Sequence, residues 1–270
     1  MKQSAASTLD AAYVELSEGV FRAGPLTGGP WHPEQQHGGP PAALICRGLE
    51  RAAAEAGLTH LGRLTVNLLR PAPISECRIE AMADYLGRNA GHYSGRLIAQ
   101  NKEIARFTAL MQREDELPVP ENAPGHPPPA APKPPGECPV VRIPFGGAGF
   151  GYADLVENRL AEGRFFNGPC AAWFRMNHPL LADETPSPYQ RVAVAADSGN
   201  GVSAALDIRK YLFVSCDLTI NLFRRPAGEW ICLQARSFFG GNGCGLAESA
   251  LYDEEGFIGR ATQSLAVRLR

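Results

Sequence analysis

No basic run, no long apolar run and no paired-cysteine motif occurs in this 270-residue chain, and each lack removes a class of function. With 26 Lys and Arg against 28 Asp and Glu, a net charge of −2 and no Lys/Arg cluster, the footprint of a nucleic-acid binder or an anionic-membrane binder is missing. Nowhere do about eighteen apolar residues run together, and the opening MKQSAASTLDAAYVELSEG has no apolar core of signal-peptide length. A cytoplasmic protein is expected. Seven cysteines make an odd number without a CxxC pair, and Cys46, Cys77, Cys216 and Cys232 fall in apolar runs. They read as buried, reduced thiols, not as a disulfide framework or a zinc site. The signatures G-x-S-x-G, HExxH and GxxxxGK[ST] are absent, and the glycine cluster at 240–245 sits between two strand-like runs, as a hairpin turn would. Serine hydrolase, zincin and nucleotide-binding readings fall away, and no metal or cofactor is implied.

What the chain does contain is enough apolar residue, 44%, to bury a substantial core in one large or two ordinary domains. Its organising stretch is WHPEQQHGGPPAALICRGLERAAAEAG at 31–57, a Gly- and Pro-rich start opening into a helix with Gly57 as a C-terminal stop. Ala42, Ala43, Ala52, Ala53 and Ala54 would let a sheet approach closely. Residues 13–24 read as a hairpin before it, and strands are expected at 64–69, 76–86 and 95–112, the last broken at Gln100-Asn101-Lys102. The proline density of 114–139 forbids helix and ladder alike and marks a connector. Beyond it the order repeats: strands at 156–166 and 171–176, a short helix PYQRVAVAA after Ser187, a turn at Asp197-Ser198-Gly199-Asn200-Gly201, then strands at 211–223, 230–239, 245–252 and 257–269.

A shift of 154 positions lays LTVNLLR (64–70) on LTINLFR (218–224) without a gap, and also sets Gly87 on Gly241 and Gly91 on Gly245. A register held over about fifty residues identifies an internal repeat. The chain reads as an N-terminal unit at 1–113, a connector at 114–139 and a C-terminal unit at 140–270. Where the copies differ, three polar residues stand out: Asp197 after the second helix, where the first helix offers no carboxylate in a similar turn; Gln263 in the place of Ala109; and Ser215 in the place of Leu61. Each also has a plainer reading. Asp197 suits a turn after a helix, Gln263 a satisfied core amide, and Ser215 any strand. His37 suits capping or packing at the helix start. Cys216, with no histidine partner visible, suits an inert buried thiol, and Arg70 and Arg224 suit structural roles.

The succession of helix, D-S-x-x-G, S-x-D-L-T-I-x-L-x-R-x-P-x-G-E-W, L-x-D-x-x-G and T-Q-x-L resembles the double-hotdog acyl-CoA thioesterases of the thioesterase II type, as does W-H-P-E-x-Q-H-G-G-x-x-A-A in the first half. The resemblance covers both halves. It implies an α+β double hotdog, two fused units each with an antiparallel sheet wrapped round a central helix, and hydrolysis of an acyl-CoA to free acid and CoA. In that family an Asp, a Thr or Ser, and a Gln orient the attacking water. Matched residue by residue these are Asp197, Ser215 and Gln263, with Ser215 standing where the better-known members carry Thr. Gly38 and Gly39 would then present backbone N–H groups to the substrate carbonyl. The implied partner is an acyl-CoA, without nucleic acid or membrane, and homo-oligomerisation stays open. A non-catalytic acyl-CoA or acyl-chain binding protein of the same fold is the rival reading.

Overall fold

A computed structural model describes residues 10–118, 130–143 and 151–270. The first unit opens with the hairpin β1 (Tyr13–Ser17) and β2 (Val20–Ala23), followed by helix α1 (Gly39–Ala54) and strands β3 (His60–Leu68), β4 (Glu76–Leu86), β5 (Ala90–Ala99) and β6 (Lys102–Gln112). Gln100 and Asn101 both take positive φ between β5 and β6, which makes a tight hairpin turn there. The second unit contains β7 (Val140–Val141), the short α2 (Tyr152–Leu155), β8 (Val156–Glu162), β9 (Cys170–Met176), α3 (Pro188–Ala196) and α4 (Gly199–Val202). It closes with β10 (Tyr211–Ser215), β11 (Asp217–Leu222), β12 (Ile231–Phe239), β13 (Cys244–Asp253) and β14 (Gly256–Leu269). Part of the expected connector, 119–129, lies outside the described residues, as does 144–150.

All fourteen strands form one sheet, ordered β1-β2-β4-β5-β6-β3-β11-β14-β13-β12-β9-β8-β7, with β10 paired to β14. Outward from the middle, β3-β6-β5-β4 matches β11-β14-β13-β12, so the repeat in the sequence is a repeat in the sheet. The seam is the antiparallel pair β3 and β11, in which Leu64 faces Ile220, Thr65 faces Thr219 and Val66 faces Leu218. Thr65 and Thr219 are themselves repeat partners, and their hydroxyls meet at 3.1 Å. The local two-fold axis therefore passes between them. This is the double hotdog fold.

Helix α1 is buried on every side from Gly39 to Arg47, as a helix enclosed by a sheet and a second helix must be. Ala42, Ala43 and Ala53 are buried, whereas Ala52 and Ala54 reach solvent, so the helix is enclosed all round only in its N-terminal half and along one face beyond it. Gly57, at φ +65, ends it. α3 begins at Ser187, whose hydroxyl accepts the Gln190 N–H at 3.2 Å, and runs antiparallel beside α1. One apolar core spans both units, including Leu44, Ile45 and Leu49 from α1, Val192 and Ala193 from α3, and Leu64 and Ile220 from the seam.

Two expectations change. The Asp197–Gly201 stretch is not an open turn: α4 continues the helix direction as a buried turn, made close to the sheet by Gly199, where a Cβ would come 2.8 Å from Ser249 Oγ and 2.9 Å from Gln263 Oε1. The expected strand at 211–223 is interrupted at Cys216, which separates β10 from β11 and is exposed, not buried with Cys46, Cys77 and Cys232. An exposed thiol leaves no cavity when trimmed, so Cys216→Ala should melt with the parent and keep hydrolysis within a few-fold. Loss of all activity in a folded variant, read as thiol release, would contradict this.

Candidate active site

The antiparallel pairing of α1 and α3 brings the last residue of one helix to the first of the other. Asp197 caps the C-terminus of α3 and is buried, with its carboxylate laid against Gly38 at the start of α1. A methyl group at Gly38 would stand 2.7 and 2.8 Å from its two oxygens. From β14, Gln263 reaches the same place: its Nε2 donates to the Asp197 carbonyl at 3.0 Å and to Ser215 Oγ, on β10, at 2.8 Å, with Asp197 Oδ1 at 3.4 Å. The structure thus brings Asp197, Ser215 and Gln263 together. Asn200, on α4, joins them: its N–H donates to Gln263 Oε1 at 3.0 Å and its Nδ2 to Ser215 Oγ at 3.2 Å. Nothing in the sequence singled out Asn200, because its partners lie on β10 and β14 and meet it only in three dimensions.

Counting donors and acceptors gives each group a direction. Both Gln263 N–H groups are spent within the protein, and the residue is buried behind Ser215. The Ser215 oxygen accepts from two amides, so its own O–H is left to donate outward. Asp197, Asn200 and Ser215 all border a cavity of about 600 Å³ that is also lined by Ile45, Val66 and Leu97 from the first unit.

His37, at the other side of the carboxylate, has Nδ1 3.3 Å from Asp197 Oδ2 and accepts the Gly39 N–H at 3.0 Å. Gly39 is therefore not an open donor, contrary to the expectation from the sequence, while Gly38 N–H has no partner among the described residues. Burial lowers the His37 pKa more than the neighbouring carboxylate raises it, which favours the neutral ring. No group of three or more His, Cys, Asp or Glu able to hold a metal occurs among the described residues.

Family models match most of the chain: residues 27–112 fit the acyl-CoA thioesterase N-terminal domain and residues 120–267 the acyl-CoA thioesterase C-terminal domain. The chain belongs to the acyl-CoA thioesterase family. It is a thioester hydrolase. Similar solved structures include a protein assigned as a thioesterase II from Thermobifida fusca (19% identity, TM-score 0.73, 96% of each chain covered). Others are a hot dog fold protein from Alicyclobacillus acidocaldarius (18%, 0.65, 97% of each chain) and the acyl-CoA thioesterase II TesB2 of Mycobacterium marinum (15%, 0.59, 96% of this chain and 95% of that one). At such identities they speak to the fold. No curated protein matches the chain.

The pseudo-equivalent place in the first unit of this thioesterase is filled differently. Opposite Gln263 across the β13–β14 ladder is small Ala247, whereas opposite Ala109 across β5–β6 is Tyr93, buried and bulky. The large side chain has changed strands, an aromatic in one copy and an amide in the other. A carboxylate is nonetheless present, which corrects the reading of the first helix: Glu50 meets the start of α3, accepting from Ser187 Oγ at 2.9 Å and Gln190 Nε2 at 3.0 Å. Burial raises its pKa against those two bonds. With two protein donors on the oxygen that faces α3, Glu50 caps a helix. Arg224, bound to Asp253 through two 2.6 Å contacts, is structural, while Arg70 borders the cavity.

Proposed function

We propose that the enzyme hydrolyses an acyl-CoA to a free acid and CoA with a water activated by Asp197. The observation that carries this reading is the joining of Asp197 and Ser215 through Gln263 on the wall of a cavity that Ile45, Val66 and Leu97 also line. A thioester is already electrophilic, so the protein has to align a water, accept its proton and stabilise the oxyanion. Asp197 is the proton acceptor, and the outward Ser215 O–H orients what lies beside it. Gln263, with its N–H groups spent, positions both without itself touching the water, and Gly38 N–H faces the carbonyl oxygen. The two hotdog units, 1–113 and 140–270, act as one body, because the site takes Gly38 from the first and the other residues from the second. A cytoplasmic location accords with the finding that no helix among the described residues is long and apolar enough to cross a membrane.

The test is turnover of a panel of acyl-CoAs of different chain length, read as free thiol. Release well above the uncatalysed rate supports the reading; binding without release would make the protein a carrier instead. Because Tyr93 and the capped Glu50 occupy the other pseudo-equivalent place, a non-hydrolysable acyl-CoA analogue should saturate at one equivalent per chain in calorimetric titration. Two equal sites would show that the difference between the copies does not bear on binding.

A further inference from the structure

The start of α1 has fewer open donors than a helix start ordinarily leaves. Pro40 and Pro41 carry no N–H, Gly39 gives its own to His37 Nδ1 at 3.0 Å, and Ala42 gives its own to the Gly38 carbonyl at 3.1 Å. Gly38 N–H alone remains, on the wall of the 600 Å³ cavity. Attack on a thioester puts a full negative charge on the carbonyl oxygen, and a preorganised donor aimed at it is among the largest contributions a protein can make. A second donor is present in the imidazole of His37.

The ring cannot easily turn. It lies on Tyr152 with centroids 3.7 Å apart and planes at 4°, and Tyr152 is held by its hydroxyl, which donates to the Val194 carbonyl at 2.7 Å and lies 2.9 Å from Ser198 Oγ. A backbone amide hydrogen is fixed by the peptide plane. The Gly39 N–H, 3.0 Å from Nδ1 and nearer than Asp197 Oδ2 at 3.3 Å, therefore takes that nitrogen's lone pair, and a proton there would meet it head-on. A neutral ring with Nδ1 accepting must carry its hydrogen on Nε2. Nε2 has no partner among the described residues, and the ring borders both the 600 Å³ cavity and an adjoining one of about 820 Å³.

We infer that His37 Nε2–H, together with Gly38 N–H, holds the thioester carbonyl oxygen, which makes His37 a catalytic residue through the nitrogen remote from Asp197. The assignment rests on the hydrolysis proposed above. In it the water oxygen bonds to the carbonyl carbon, one water proton passes to Asp197, and the carbonyl π pair moves onto the oxygen held by the two N–H groups. When that pair returns, the C–S bond breaks and the leaving sulfur takes the proton from Asp197, giving acid and thiol.

Two variants and one spectrum test it. His37→Phe keeps a ring on Tyr152 and removes both nitrogens; His37→Gln keeps a side-chain N–H. With an acyl-CoA that the parent hydrolyses, His37→Phe should lower kcat by roughly 10²–10³-fold, the loss seen for an oxyanion donor, with KM within a few-fold, and His37→Gln should recover part of it. In parent protein labelled with ¹⁵N-histidine, the NMR proton of His37 should sit on Nε2. A proton on Nδ1, or a folded His37→Phe turning over within threefold of the parent, overturns the inference. Should His37→Phe not fold, the tautomer and the kcat of His37→Gln decide in the same way. A parent that releases no thiol from any acyl-CoA fails the hydrolysis reading itself, whereas an active parent with an equally active His37→Phe fails only this assignment.

Discussion

Asp197→Asn should lower kcat by roughly the 10²–10⁴-fold of a lost general base while leaving the melting temperature near that of the parent. The amide has the shape of the carboxylate, and the bond that Gln263 Nε2 makes to position 197 with the shortest distance is to the backbone carbonyl, at 3.0 Å, which the substitution keeps. KM should move little, because the apolar cavity walls formed by Ile45, Val66 and Leu97 are untouched. Gln263→Ala should cost less turnover and more stability, since it removes an amide that ties Asp197, Asn200 and Ser215 together in the core. Ser215→Ala should cost least. If Asp197→Asn turns over as fast as the parent, or does not fold, Asp197 is a helix-end residue only and the mechanism fails.

Adjacent glycines should give opposite results. A methyl at Gly39 would run into the Val194 carbonyl oxygen, which is backbone of the neighbouring helix and cannot step aside. Gly39→Ala must then push α1 from α3, an overpacking worth about 1–3 kcal/mol, and should lower the melting temperature by several degrees. At Gly38 the atoms nearest the methyl would be those of the Asp197 carboxylate, the end of a side chain, at 2.7 to 2.9 Å. Gly38→Ala should fold with nearly parental stability yet lose activity, on the order of 10²-fold for a base displaced by about an ångström. Differential scanning calorimetry beside thiol-release kinetics separates the two, and a Gly38→Ala variant with parental kcat would show that the carboxylate position is not critical.

Much of this was legible from residue types in sequence. The matched heptads at 64–70 and 218–224 announced both the repeat and, unexpectedly, the seam, because the two copies of that stretch pair with each other. Pro188 and Ser187 marked the start of α3 to the residue. What escaped the sequence are contacts made across units or between distant strands. His37 and Asp197 meet only because α1 and α3 run antiparallel at close range; Glu50 finds Ser187 for the same reason. Asn200 looked like loop polarity in a Gly-rich stretch until Gly199 allowed α4 to press on β13 and β14. Cys216 looked buried because apolar runs lie on either side of Ser215-Cys216-Asp217, whereas the break between β10 and β11 turns it to the surface.

The symmetry at Thr65 and Thr219 has a genetic consequence. An antiparallel seam centred on one repeated residue is self-complementary, so two copies of an ancestral single-unit chain could have joined by the same register, Thr against Thr, as an isologous homodimer. In such a dimer every substitution is made twice, once in each of two identical pockets. In a single chain the two halves need not match, and here Tyr93 stands opposite Ala109 in one half and Ala247 opposite Gln263 in the other.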